Sequence, residues 1–332
     1  MKDKGKYQAW TCREFGHYSN LKLIELPRKQ PSAGQVLIKV AAFAPGFPDL
    51  LMVDGKYQLR PKVPFTPCME FSGTVEALGS KVSSLTVGER VMGTVRFGSA
   101  AQQVIAKASD CYPIPKGFDF VDAAGFLIAY KTAYVALISC GGLVKDDTVL
   151  IHGASGGVGL ATLQLAKHVG ARVIAVVSSQ YKADMLSRYY ADHVLVCPGG
   201  DFKEDVNRIT EGLGADVVFD PIGGDVFDQS TKCIAPFGRL LVVGFAGGRI
   251  AKVATNHMLI KQYSVIGVRA GEFGRTDKAR GEKVMKDLIE LANQGIFRPH
   301  INNVLAFRDF IEAFKAIASR QVVGRVVVDV SR

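Results

Sequence analysis

The sequence predicts an α/β protein in which a doubly wound parallel sheet is inserted into a second, mostly β domain. Three observations carry that expectation. Six near-continuous apolar runs follow one another between residues 127 and 268, most of them separated by helix-period segments. A glycine-rich turn closes the first of these runs. Short β-type runs punctuated by Gly and Pro fill the chain up to residue 126, and one more strand-like run ends it.

In the first region the β-type runs are Gln35–Ala41, Gly73–Ala77, Arg90–Val95 and Gln102–Ala106. Ala44-Pro45-Gly46, Pro61, Pro64, Pro67, Gly79, Gly88 and Gly98 break them. Short strands with turns at this spacing point to a barrel or sandwich. The central strands are Thr148–His152, Arg172–Val177, His193–Val196, Asp216–Phe219, Arg239–Val243 and Ser264–Val268. Apolar strands of this kind, each leading into a helix, belong to a parallel sheet covered on both faces. Six of them match a Rossmann sheet. Beyond residue 269 come a helix (Lys278–Gln294), a Pro-containing loop, a helix (Arg308–Ser319) and a strand (Gly324–Val330). That strand has no place in a completed six-stranded sheet and is expected to return to the first domain. The expected division is 1–126 with 269–332 for the mostly β domain, and 127–268 for the Rossmann domain.

Composition narrows the function classes. Hydrophobic residues make up 48% and charged residues 22% of the 332 positions, a globular profile. No apolar run approaches the roughly 20 residues of a membrane helix. The first residues have neither the apolar core of a secretory signal nor the acid-free character of a transit segment, since Asp3 and Glu14 interrupt them. The six cysteines form no CxxC pair and read as free thiols. A cytoplasmic location is expected, with the mitochondrion as the alternative. The net charge of +10 raises nucleic-acid binding, but Lys and Arg are dispersed and form no basic tail. A basic enzyme that attracts phosphorylated cofactors fits the charge better.

The most informative segment runs Thr148-Val-Leu-Ile-His-Gly153-Ala154-Ser155-Gly156-Gly157-Val158-Gly159. The next helix places Val158, Ala161, Leu165 and Val169 on one face. Strand, glycine turn and helix N-terminus make an anion site, because the first amides of the helix lack acceptors and its dipole favours negative charge. Small residues are required, since side chains there would block a diphosphate or push the helix off the sheet. The same letters satisfy GxSxG, with Ser155 as a hydrolase nucleophile. That reading needs a later His, and only His257 and His300 lie outside the predicted helix and strand that hold His168 and His193. Val158-Gly159 serves dinucleotide packing and no hydrolase purpose, so Ser155 is expected to contribute backbone.

At the end of the second strand, Ser178-Ser179-Gln180-Tyr181-Lys182 carries no acid before Asp184. An Asp or Glu here would hold the ribose 2′-hydroxyl of NAD and repel a 2′-phosphate. Two small hydroxyls and a cation favour NADPH; a helix cap followed by a solvated lysine is the plainer alternative.

Read together, these residues bring the chain close to a known group. It resembles the quinone oxidoreductase (zeta-crystallin-like) branch of the zinc-free medium-chain dehydrogenase/reductase superfamily. The resemblance rests on Phe47-Pro48-Asp49, Gly55-Lys56-Tyr57, Pro64-Phe65-Thr66-Pro67, Gly73-Thr-Val-Glu-Ala-Leu-Gly79, Val87-Gly88-Glu-Arg-Val91, Thr132-Ala-Tyr134, the glycine loop, Asp220-Pro-Ile-Gly-Gly224 and Gly238-Arg-Leu-Leu-Val-Val-Gly244-Phe. It implies a GroES-like catalytic domain built from both chain ends. It also implies NADPH held by Tyr57, Thr132, Ser155, Gly156, Gly157, Val158, Ser178, Ser179, Lys182, Val243, Gly244, Phe245, Arg269 and Ala270. The reaction implied is hydride transfer to a quinone or α,β-unsaturated carbonyl, in a homodimer or homotetramer paired through the strand at Ser264–Val268. Tyr57 is the candidate catalytic side chain, as proton donor or as an aromatic wall. Two alternatives stay open: an enoyl-CoA-type reductase, and an NADPH-binding regulatory or RNA-binding protein.

The chain departs from the pattern in three places. Cys197 stands where relatives often carry Tyr or His beside the 2′-phosphate, and Gly46 stands where many carry an Asn that bonds the substrate carbonyl. Zinc-dependent relatives have Gly-His-Glu where this chain has Cys68-Met69-Glu70, and the four-Cys structural lobe is absent. Met69 is a poor zinc ligand. Glu70 is expected in a structural ion pair, and Asp49 as an anchor for the helix after Pro48.

Overall fold

A computed structural model describes residues 5–275 and 277–332. They form two compact units, one of residues 5–128 with 301–332 and one within residues 129–300.

The first unit begins with a hairpin of β1 (Lys6–Thr11) and β2 (Lys22–Pro27), which the sequence reading did not pick out. β3 (Gln35–Phe43), β4 (Glu70–Leu78), β5 (Arg90–Thr94), β6 (Gln103–Lys107) and β7 (Cys111–Pro113) then pair antiparallel. Between β3 and β4 lies the short helix α1 (Phe47–Val53). Its Asp49 carboxylate accepts the Gly46 N–H at 2.8 Å, the anchoring role expected of it. After β7 comes α2 (Phe120–Ala124), capped by Asp119, whose side chain accepts the Asp122 N–H at 2.8 Å.

α3 (Leu127–Tyr134) runs into a π-helical stretch over Val135–Cys140, closed by Gly141 N–H to Ala136 O at 2.8 Å. The second unit then alternates strand and helix: β8 (Thr148–His152), α4 (Gly157–Val169), β9 (Arg172–Val177), α5 (Gln180–Leu186), β10 (His193–Val196), α6 (Lys203–Ile209), β11 (Ala215–Asp220), α7 (Gly224–Ser230), β12 (Ile234–Val242), α8 (Thr255–Lys261) and β13 (Ser264–Gly267). All six strands are parallel, in the order β10-β9-β8-β11-β12-β13. This is the doubly wound order, with its crossover between β8 and β11. Leu150, Ile174, Val218 and Leu240 from four neighbouring strands are buried together, which is why these strands are apolar without alternation.

α9 (Lys278–Asn293) belongs to this second unit, and so does the chain as far as His300. The expected division gave residues 269–300 to the flanking domain. Contacts draw them the other way: the buried Phe297 ring packs 5.0 Å from Tyr130, and at the surface Gln164 Nε2 donates to Arg298 O at 3.1 Å.

The chain ends in the first unit with β14 (Ile301–Ala306), α10 (Phe310–Ala318) and β15 (Arg325–Asp329). β14 lies parallel to β15, and β15 pairs antiparallel with β3 through Val328↔Phe43 and Asp329↔Ala42, so the last strand does return to the N-terminal β domain. The core joins both ends of the chain. Phe43 meets Phe310 edge-on at 5.2 Å, and the Trp10 indole N–H donates to Phe307 O at 2.9 Å.

Candidate functional site

In the second unit the glycine turn lies at the C-terminal ends of the central strands. β8 ends at His152; Gly153 turns the chain with φ +60°, and α4 begins at Gly157. Glycine at 153 follows from that left-handed conformation. Gly159 is required for a different reason. A Cβ there would lie 2.3 Å from Gly153 O, so α4 can approach the turn only if residue 159 has no side chain. Gly156 N–H is already used inside the turn, donating to Gly153 O at 3.0 Å. Gly157 and Val158 therefore open the helix, whose first-turn amides have no intrahelical acceptor. Ser155 is almost fully buried in the turn. This cradle fits a diphosphate.

The hydrolase reading finds no support in the histidines. His257 Nδ1 pairs with Tyr263 Oη at 3.3 Å, and the His300 ring packs edge-on to Tyr189. His152, the strand residue before the turn, is fully buried. It bonds Ser230 Oγ at 2.8 Å, and burial pulls its pKa down to about 3, so it stays neutral.

At the end of β9 the two groups expected to meet a 2′-phosphate are together: Lys182 Nζ donates to Ser178 Oγ at 2.9 Å. Ser179 caps α5, its Oγ accepting the Lys182 N–H at 3.4 Å, which is the plainer role foreseen for a serine there. Asp184 points along the helix, accepting from Gln180 Nε2 at 2.8 Å. Cys197 follows β10, with its N–H donating to Val177 O at 2.8 Å; burial pushes its thiol up, leaving it neutral.

Two further loops at this sheet end are held by Asp220, which the sequence reading treated only as part of a motif. Its Oδ1 accepts the N–H groups of Ile222 and Gly223 at 2.8 and 2.9 Å, while Oδ2 is buried without a partner. Val243 N–H donates to Asp220 O at 2.9 Å, and Ala246 N–H to Pro221 O at 3.0 Å. Gly244 runs close beneath, since a Cβ there would sit 3.2 Å from Pro221 O. Phe245 is 43% exposed beside Gly223. Past β13, Arg269 is exposed, with an ion pair to Glu272 at 3.7 Å, and Ala270 is buried. Thr132 is half-buried in α3.

In the first unit Tyr57 follows α1, its N–H donating to Leu51 O at 3.1 Å and its ring half-buried against the core. Below α1 lies a charge cluster. Glu70 is fully buried; one carboxylate oxygen is paired with Arg325 and the other accepts the Ile128 N–H at 3.0 Å. The ion pair expected for Glu70 is present, but its partner lies 255 positions away and carried no sequence signal. Burial lowers the Arg325 pKa to about 10 and raises that of Asp49 to about 7, against the opposing pull of the Gly46 N–H and of Arg325. Cys68, also fully buried, is kept as a thiol well above its ordinary range by burial and by the nearby Asp49 carboxylate. All six cysteines are unpaired, and four are buried.

Comparisons with known proteins bear on both units. Residues 32–116 match the family described as alcohol dehydrogenase GroES-like domain, and residues 157–292 match that described as zinc-binding dehydrogenase. The chain is 34% identical to quinone oxidoreductase-like protein 2 of Rattus norvegicus, over 96% of each chain. It is 30% identical to the human synaptic vesicle membrane protein VAT-1 homolog, over 95% of this chain and 84% of that one. A mycobacterial protein solved in complex with NADPH superimposes with a TM-score of 0.91 at 29% identity, covering 98% of this chain and 100% of that one.

The zinc named in one of those descriptions is not matched by the residues here. Both oxygens of Glu70 are taken, and Met69 stands between Glu70 and Cys68. Among the described residues no group of three or more His, Cys, Asp or Glu is placed to hold a metal ion.

Proposed function

Because the chain belongs to the quinone oxidoreductase-like family of the medium-chain dehydrogenase/reductase superfamily, we propose that it is a zinc-free, NADPH-dependent reductase of quinones and α,β-unsaturated carbonyls. The observation that carries this reading is the glycine turn, where the clash at residue 159 leaves a cradle suited to a dinucleotide's diphosphate. When bound, the reduced nicotinamide supplies the hydride.

The chain's own work is binding and placement. Gly157 and Val158 offer amides to the diphosphate, and Ser155 shapes the turn beneath it. Ser178 and Lys182 meet the 2′-phosphate as a hydroxyl and a charge-assisted donor, and Ser179 fixes their helix. Val243, Gly244 and Phe245, pinned by the Asp220 turn, together with Arg269, Ala270 and Thr132, line the cofactor further along. Tyr57 presents an aromatic face and a phenol to the acceptor.

Oxidation of NADPH with a naphthoquinone, an aliphatic enone or an enoyl-CoA is the direct test of the reaction. Binding of NADPH without turnover on any of them would sink the reductase reading, and turnover on the enoyl-CoA alone would favour the enoyl-CoA alternative. Coenzyme choice has its own test. Lys182→Ala is expected to weaken NADPH binding by about 10- to 150-fold, from loss of a charged hydrogen bond of roughly 1.5–3 kcal/mol. NADH binding should be unchanged. Equal effects on the two coenzymes would return Lys182 to a solvated helix surface.

A homodimer, or a tetramer built from it, fits the edge of the Rossmann sheet. β13 pairs with β12 on one side only, and α8, which leads into it, exposes Leu259 (79%) and Ile260 (74%). Open strand edges and adjacent apolar groups are natural self-association surfaces. Light scattering should report a dimer or tetramer that Leu259→Glu with Ile260→Glu converts to monomer; a monomeric parent chain would refute this. Among the described residues no helix is long and apolar enough to cross a membrane.

A further inference from the structure

α9 carries a glycine, Gly281, one turn inside its first residue. Glycine is costly there relative to alanine, because it gives the unfolded chain more freedom to lose. Space supplies the reason for it. A Cβ on Gly281 would lie 2.8 Å from Gly274 Cα, and a Cβ on Gly274 would lie 2.6 Å from Gly281 Cα. Gly274 also turns the chain with φ +89°. The two residues therefore meet backbone to backbone, in a contact that admits a side chain on neither.

What this contact docks is the turn after β13. The N–H groups of Glu272 and Phe273 donate to Arg269 O at 3.1 and 3.2 Å, and Arg275 N–H donates to Glu272 O at 3.0 Å. The Glu272 carboxylate draws in Arg275 at 3.0 Å and Arg269 at 3.7 Å. Residues 269–275 are thus tied together as one piece, with Arg269 and Ala270 at its start and Gly274 near its end. α9 is the firmer partner. Its Val284, Met285, Leu288 and Ala292 are buried, and its Asp287 accepts the Tyr134 hydroxyl. Any displacement at the contact therefore falls on the turn. Carbon atoms rest about 3.5–4.0 Å apart, so one added methyl group would move it by about 1 Å.

β9 and β13 stand on opposite sides of the crossover between β8 and β11. The Ser178–Lys182 pair follows β9 and the 269–275 turn follows β13, so both lie at the C-terminal end of the parallel sheet. A dinucleotide held at the crossover has its adenosine half toward β9 and its nicotinamide half toward β13. We infer that Gly281 is a positioning residue for the nicotinamide half of the coenzyme: through Gly274 it fixes where Arg269 and Ala270 stand. This rests on the NADPH binding in the reading above.

The experiment separates the two halves of the coenzyme. The full chain and its Gly281→Ala and Gly274→Ala variants are titrated with NADPH and with 2′,5′-ADP, which carries the adenosine and the 2′-phosphate but no nicotinamide. Gly281→Ala is expected to weaken NADPH binding about tenfold, the effect of a modest overpacking, and to bind 2′,5′-ADP as the parent does. Gly274→Ala should give the same split, because its Cβ enters the same contact from the other side. Parent-like NADPH affinity in either variant overturns this inference alone. So does an equal loss of NADPH and 2′,5′-ADP, since the contact would then support the whole unit rather than the turn. A parent chain that binds no NADPH overturns the reductase reading, and this one with it.

Discussion

Gly159→Ala is expected to weaken coenzyme binding by about 10- to 100-fold, from one added methyl group. The new Cβ would lie 2.3 Å from Gly153 O and 2.7 Å from Ala154 Cα, both of them backbone atoms. Backbone cannot swing aside as a side chain end can, so α4 must withdraw from the turn. Overpacking of this kind costs roughly 1–3 kcal/mol, and each 1.4 kcal/mol is a factor of ten in affinity. The parent chain is the reference, and fluorescence titration with NADPH measures both. Equal affinities for parent and variant would remove the turn from the coenzyme site.

Glu70→Ala is expected to destabilise the first unit by about 3–5 kcal/mol, the usual effect of stripping one partner from a buried ion pair. Arg325 would be left buried with its charge uncompensated, and the Ile128 N–H would lose its acceptor. Glu70→Met combined with Arg325→Met should regain most of the loss, since a buried pair replaced by apolar groups of similar size is often neutral. Trp10, the only tryptophan, reports this unit selectively, because it lies 7% exposed in its core. Its emission during urea unfolding gives the comparison. A loss below about 1 kcal/mol in Glu70→Ala would mean the pair is solvated rather than buried.

The Rossmann half was legible because its signal is local. Thr148–His152, Arg172–Val177 and His193–Val196 are strands with the bounds expected; burial on both faces writes a continuous apolar run into the first two, and the third is an apolar, partly exposed strand at the sheet edge. The Ser178–Lys182 pair was legible for a related reason: both groups lie within five consecutive residues, where the end of β9 meets the start of α5. The flanking unit was read less completely. β1 and β2 keep neither a continuous apolar run nor a strict alternation, and β14 (Ile301–Ala306) carries two asparagines, so none of the three reads as a buried strand. The π-helical stretch at Val135–Cys140 has the same composition as an ordinary helix. The Arg325–Glu70 contact joins the two ends of the chain, and nothing in either segment alone announces the other. The same long reach explains why residues 269–300 were given to the flanking unit: their contacts with Tyr130, Tyr134 and Gln164 show where they belong.

The shared core of the two chain ends sets an order of synthesis. Residues 129–300 are contiguous and can collapse as soon as they leave the ribosome, whereas the amino-terminal strands lack Phe307, Phe310, Phe314, Val326 and Val328 until the segment after residue 300 is made. Until then the protein carries an unfinished first domain whose apolar face waits for residues 301–332. A nonsense codon near residue 300 would therefore spare the nucleotide-binding half and expose the other to proteases and chaperones.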